Sequence, residues 1–247
     1  MNHLSLPLLR RSIAALACAA AVVPAAFADE AAIRKNIAER LPDFPKIDEV
    51  AKTPIPGLYE LRFGTEVLYT DEQGNHLIEG QMIDTKTRAN LTEARISKLT
   101  AIDFGALPLK DAIVWKQGTG ARKIAVFADP NCTYCKKFER ELTNVKDVTV
   151  YTFLYPILGG DSPEKSRNIW CAKDNAKAWR EWMIDGTLPA RVMGKCDTAA
   201  LARNTELARK HRVNGTPALV FEDGRRVPGA LPSDQIEKHL LAASRKG

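Results

Sequence analysis

The sequence predicts two folded units in tandem, a small α+β unit over residues 29–88 and a larger α/β unit over 109–247, joined by a helical segment at 89–108. Three observations carry this expectation. A spaced apolar helix pattern followed by short alternating strands fills the first zone. Strand and helix patterns alternate through the last, and a loose, charged helix pattern lies between them. The 247 residues are 45% hydrophobic and 27% charged, a globular balance that excludes disorder, collagen-like repeats and a purely coiled-coil chain.

Residues 1–28 read as a secretory signal peptide rather than as part of the fold. Arg10 and Arg11 form a positive start, 13–23 is uncharged and apolar, and Ala26-Phe27-Ala28 fits small-residue cleavage before Asp29. A membrane anchor is disfavoured because the apolar run is short and ends at Pro24. Cys18 is poorly placed for lipid attachment, since Ala15-Leu16-Ala17 precedes it. Cleavage removes Arg10 and Arg11 and no acid, which lowers the net charge from +6 to +4. The remaining basic residues are scattered singly, so a mildly basic surface is expected, without nucleic-acid binding or membrane insertion.

In the first unit, Ile33, Ile37 and Leu41 at spacing four predict a helix with Asp29 as its cap. Pro42, Pro45, Pro54 and Pro56 then interrupt the chain. Strands are expected at 58–63, with Tyr59, Leu61 and Phe63 on one face, at 67–70 and at 76–84, with a turn at 71–75 between the last two. So small a unit has a thin core, which pairing with a second copy would stabilise. In the joining segment, Asn90 and Glu93 have capping-box spacing, and Leu91, Ile96, Leu99 and Ile102 give a half-solvated helix that ends at 105–108.

The second unit opens with strands at 112–116 and 123–128, the latter almost continuously apolar. A helix follows from Cys132 to about Thr143, then a strand at 148–155 rich in β-branched and aromatic residues. Residues 163–212 are mostly helical and contain Cys171, Cys196 and three of the four tryptophans. A strand at 218–222, a turn at 222–225 and a helix at 232–245 complete a domain with a central mixed sheet.

Loss of Cys18 leaves four cysteines, an even number that points to disulfides in an oxidising compartment. Of three pairings, Cys132–Cys135 with Cys171–Cys196 is favoured because Cys-x-x-Cys is a recurring redox unit. The second pair closes a loop of 24 intervening residues, a staple of roughly 3 kcal/mol. A zinc site of all four thiolates is the rival, disfavoured because zinc ribbons bring two close pairs.

The Cys-x-x-Cys lies where a buried strand meets a helix. At the helix N-terminus, free N–H groups and the macrodipole favour the Cys132 thiolate, with Lys136 and Lys137 nearby. Cys135, one turn on, is expected to be more buried. Cys132 is therefore the attacking nucleophile and Cys135 the resolving thiol. Gly215-Thr216-Pro217 stands directly before the apolar strand, where a cis bond would leave the Thr216 backbone free to pair with an extended peptide and a trans bond would simply open the strand.

Together, the strand, the Cys-x-x-Cys helix and the Thr-Pro before a later strand resemble the thioredoxin superfamily. Residues 129–135 (Asp-Pro-Asn-Cys-Thr-Tyr-Cys), 169–174 (Ile-Trp-Cys-Ala-Lys-Asp), Gly215-Thr216-Pro217-Ala218 and Val227-Pro228-Gly229 are similar to the DsbC/DsbG family of periplasmic protein-disulfide isomerases. In the first unit, Val67-Leu68-Tyr69 and the Gly74 turn also match. The resemblance implies a homodimer with a small N-terminal cystatin-like dimerisation domain, a linker helix and a C-terminal thioredoxin-like domain with a helical insertion. It also implies a structural Cys171–Cys196 disulfide and a substrate-binding surface of Thr133, Tyr134, Thr216 and Pro217. Thr133-Tyr134 departs from the Gly-Tyr or Pro-Tyr usual in the family, and Val126 occupies the place of thioredoxin's buried acid.

The expected function is isomerisation of non-native disulfides in misoxidised exported proteins, with no cofactor beyond the Cys132–Cys135 pair and a DsbD-type membrane reductase as electron source. A DsbG-like reductase of sulfenylated single cysteines with chaperone activity is the alternative. A DsbA-like oxidase usually lacks the N-terminal unit. A non-catalytic holding chaperone would keep all its activity after Cys132→Ser.

Overall fold

The computed structural model describes residues 25–245 and divides the chain into two compact units at Gly80/Gln81. The expected signal peptide lies outside the described residues, apart from 25–28, which open the first helix.

The first unit holds α1 (Ala25–Arg40) and a four-stranded antiparallel sheet of β1 (Glu49–Lys52), β2 (Leu58–Phe63), β3 (Glu66–Asp71) and β4 (Leu77–Ile78), in that order. Ile33 and Ile37, one turn apart on α1, are buried with Ile47, Tyr59 and Leu61. Phe63 packs edge-on against Phe44. Asp29 lies inside α1 and does not cap it. Its carboxylate accepts from the Tyr59 hydroxyl at 2.6 Å, and the alanines before it continue the helix. The 71–75 turn is held by Asp71, which accepts from the backbone N–H of Gln73, Asn75 and His76. These bonds, against the cost of burial, hold the Asp71 carboxyl down at about 2.

The strand expected over 76–84 is two strands. β4 pairs with β3, whereas β5 (Ile83–Asp84) pairs with β6 (Ala89–Asn90) in a separate ribbon. The pairing changes partner at Gly80, which has no side chain to anchor either register. Next comes α2 (Leu91–Leu99), capped by the Asn90 side chain, which accepts from Glu93 N at 3.0 Å. The helix is shorter than its apolar pattern suggested: Ile102 lies beyond it, buried with Phe104 and Leu107 under the second sheet.

The second unit is built on a five-stranded sheet formed by β7 (Ile113–Gln117), β8 (Arg122–Ala128), β9 (Val148–Leu154), β10 (Ala218–Phe221) and β11 (Arg226–Pro228). Its order is β11-β10-β8-β9-β7, with β8 and β9 parallel and the other pairs antiparallel. Both faces of β8 are covered, which explains its unbroken apolar run. Ile124, Val126 and Ala128 face one core; Ala125 and Phe127 face the other, where Phe127 stacks on Phe153. The first core is closed by α3 (Thr133–Leu142) and by residues of the insertion, which comprises α4 (Ser162–Trp170), α5 (Asn175–Arg180) and a π-turn at Glu181–Asp185. α6 (Ala199–Lys210) places Ala208 in the second core, and α7 (Ser233–Ser244) places Ile236 and Leu240 in the first.

Candidate active site

β8 ends at Ala128, and the next four residues turn the chain into α3 around one buried side chain. Asp129 is fully buried: Oδ1 accepts from Asn131 N (2.7 Å) and Ser162 Oγ (2.7 Å), and Oδ2 from Leu158 N (2.9 Å). Its carbonyl accepts from Cys132 N at 3.1 Å. Trp182 Nε1 donates to Pro130 O at 2.6 Å, and Lys165 Nζ donates to Asn131 Oδ1 at 2.8 Å. The indole of Trp182 also has the ammonium groups of Lys136 and Lys165 over its ring. This short loop is therefore fixed by partners from β9's exit, α4 and the π-turn.

Cys132 is the N-cap of α3, and its Sγ accepts from Cys135 N at 3.1 Å. As a thiol it donates to Thr216 O at 3.2 Å. The two free cysteines differ sharply in environment. The Cys135 thiol hydrogen-bonds to Cys132 and, outweighing the cost of burial, helps to hold its thiol down at about 6 from an ordinary 9.0; the Thr216 side chain and the Cys135 and Tyr134 N–H groups add to this. Cys135 is 1% exposed, and burial followed by the neighbouring Cys132 sulfur pushes its thiol far up. One thiolate forms near neutral pH and the other does not.

Cys132 caps α3 and Cys135 lies on its first turn, with Thr133 and Tyr134 exposed between them; Tyr134 retains 66% exposure. Thr216 and Pro217 come from the loop before β10, joined by a cis peptide bond, and reach Cys132 through the Thr216 carbonyl. Beside them, a cleft of about 260 Å³ is lined by Gly215, Thr216, Pro217, Arg212 and Arg226 among others, with no carboxylate. Cys171 and Cys196 form a disulfide that ties the end of α4 to the segment before α6, remote in sequence from the other pair. A four-cysteine zinc site is thereby excluded, and the described residues contain no other cluster able to hold a metal.

Sequence reasoning missed Glu139. This α3 residue is 1% exposed, and burial raises its carboxyl to about 7 even though Trp179 Nε1 donates to Oε1 at 2.7 Å. The signal was present in the helix period: the buried positions of α3 are 135, 138, 139 and 142, so a glutamate occupies a core position.

Two family models match the chain: a thioredoxin-like domain over residues 109–244 and a disulfide bond isomerase protein N-terminal domain over 24–93. The chain is 45% identical over 209 residues to a probable thiol:disulfide interchange protein DsbC of Bordetella parapertussis, covering 85% of this chain and 73% of that one. With the thiol:disulfide interchange protein DsbC of Escherichia coli K12 it shares 30% identity over 220 residues, covering 86% and 88%. A disulfide interchange protein from Neisseria gonorrhoeae superposes with a TM-score of 0.52 at 41% identity, over 56% of this chain and 98% of that one. With an N-terminal domain of this type, a thioredoxin-like domain and a Cys-x-x-Cys whose thiols are sharply differentiated, the chain belongs to the DsbC family of thiol:disulfide interchange enzymes.

Proposed function

We propose that the protein isomerises non-native disulfides in exported proteins of the periplasm. The observation that carries this reading is the asymmetry of the pair: Cys132 forms a thiolate near pH 6 at a helix terminus, and Cys135 stays protonated beneath it. Thiolate Cys132 attacks a client disulfide, leaving one client sulfur bonded to Cys132 and the other free as a thiolate. That freed sulfur attacks a second client disulfide, and the rearrangement ends with Cys132 released and no net electron transfer. Cys135 stands by to resolve stalled mixed disulfides, after which a DsbD-type membrane reductase restores the reduced pair. An extended client segment would pair with the Thr216 backbone beside Pro217 and rest on exposed Tyr134.

Export is expected from the leader at 1–28. Homodimerisation is expected through the N-terminal domain, and the space between two copies would hold unfolded clients. No helix among the described residues is long and apolar enough to cross a membrane. A DsbG-like reductase of sulfenylated cysteines would be favoured by an acidic cleft. The cleft beside Pro217 instead carries Arg212 and Arg226, which supports the isomerase reading.

The test is recovery of activity from a test protein with scrambled disulfides, using the mature chain and Cys132→Ser. Recovery with the first and none with the second is the expected result. If the variant matches the wild type, the protein is a holding chaperone. If neither works although the pair is reduced, the isomerase reading fails.

A further inference from the structure

Resolution of a mixed disulfide requires the Cys135 thiolate, yet Cys135 is 1% exposed and strongly biased toward its protonated form. A proton acceptor inside the protein would remove that obstacle. The strand beneath the site offers none: Val126 faces this core at 1% exposure. Asp129 is close in sequence, but both its oxygens are occupied by three protein donors.

Glu139 differs on each count. It follows Cys135 by four residues on the same buried face of α3, which places the two Cβ atoms about 5–6 Å apart. Helical side chains lean toward the N-terminus, which directs a residue at this position toward the turn that carries Cys135. Trp179 fixes Oε1, while Oε2 is buried with no hydrogen-bond partner. From α5, the Arg180 guanidinium is the charged group that acts on this carboxyl, attracting it without bonding to it; its Nε is likewise buried and unpartnered. Arg180 is the one charged group whose field shifts this carboxyl, and the residues of β8 and α7 in the same core are aliphatic: Ile124, Val126, Ile236 and Leu240. A leucine would fill this core position. A carboxyl there, with one oxygen unpartnered on the helix face that carries the resolving thiol, is placed to take its proton through one bridging water.

We propose that Glu139 accepts the proton of the Cys135 thiol in the step that resolves a mixed disulfide on Cys132. The proposal rests on the thiol–disulfide exchange reading above. Starting from the mixed disulfide, the Glu139 carboxylate takes the Cys135 proton and the new thiolate attacks Cys132 Sγ. The bond between Cys132 and the client sulfur breaks, and the client sulfur leaves with the electron pair and takes a proton from water. Cys132 and Cys135 end as a disulfide, the client sulfur is reduced, and Glu139 returns its proton to solvent. Arg180, which acts on this carboxyl, also lines an open cavity of about 510 Å³ with Trp115 and Lys177, a route by which that proton would reach solvent.

The test separates the two half-steps in the full mature protein. An aromatic disulfide that releases a coloured thiol reports first attack by Cys132, then release of the second thiol by Cys135. Wild type should resolve at a rate that rises through about pH 7 and then levels off. Glu139→Gln keeps an oxygen for the Trp179 donor. It should form the mixed disulfide with the wild-type midpoint near 6 but resolve it at least about tenfold more slowly at neutral pH, with no plateau near 7. Glu139→Asp should recover part of the rate. Resolution by Glu139→Gln at the wild-type rate and profile would overturn the proposal. A second reading needs no variant. Carbon-13 titration of the Glu139 carboxyl in the reduced wild type should give a midpoint near 7, and a midpoint in the ordinary glutamate range would overturn it. If wild-type Cys132 forms no mixed disulfide at all, the exchange reading fails and this proposal fails with it.

Discussion

Cys132 and Cys135 are three residues apart on one helix, and their different chemistry comes from what each can touch. Cys132 collects donors at the open end of α3, from Cys135, Thr216 and the first-turn backbone, whereas Cys135 faces a core of aromatic and aliphatic side chains. Glu139 lies in that same core, and its burial has a consequence for stability that is independent of catalysis. The folded state holds its proton up to about pH 7, while the unfolded chain releases it near 4.5. Folded protein therefore binds more protons between these values, and stability falls as pH rises through that window. The full penalty, of order 3 kcal/mol, is reached above pH 7 and is absent below 4.5. Glu139→Leu should thus raise stability at pH 8 by roughly 1–3 kcal/mol and leave it nearly unchanged at pH 4, read as the shift in denaturant midpoint. An equal effect at both pH values would show that the carboxyl is not carrying a burial penalty.

Among the elements, the N-terminal unit depends on close approach between the turn at 71–75 and α1. Gly74 has φ +65°, and a Cβ there would lie 3.1 Å from Ile37 Cγ1 and 3.2 Å from the Ile33 carbonyl. Gly74→Ala meets both a left-handed backbone and a full core, so a loss of about 1–3 kcal/mol is expected, seen as a lower Tm of the first unit. Cys132 reactivity should be unaffected, since its hydrogen-bond partners lie in the second unit. The same turn shows how far the sequence could be read. Asp71, Gly74 and the flanking alternation define the hairpin, and the continuous apolar run of β8 identifies a strand covered on both faces. Less legible were features set by tertiary partners. Gly80 separates β4 from β5 because each pairs elsewhere, α1 runs through Asp29 because Tyr59 engages its carboxylate, and no residue type dictates the cis state of Pro217. The same holds at the site. Cys132 and its cap position followed from motif and context, whereas Glu139 becomes informative only once Trp179 and the open Oε2 are seen.

For the whole molecule, the groups that set the thiol chemistry lie in the second unit, and the first is expected to add to client retention. The groups that lower the Cys132 thiol all lie between residues 132 and 216, within the second unit. Attack on a small disulfide should therefore need that unit alone. Isomerisation should need more, because the client must stay docked while its freed sulfur searches for the correct partner, and a cleft of about 260 Å³ beside Pro217 offers an unfolded chain little surface. Two catalytic units brought together by paired N-terminal domains would give a released segment a second surface at high effective concentration. A fragment of residues 81–247 should thus keep a Cys132 titration midpoint of about 6 and react normally with a small aromatic disulfide. Its reactivation of a scrambled-disulfide protein should drop by at least about tenfold relative to the full mature chain at equal thiol concentration. Full reactivation by the fragment would assign isomerisation to one catalytic unit alone and leave the N-terminal domain another purpose. A shifted midpoint would instead mean that the first unit reaches into the electrostatics of the site.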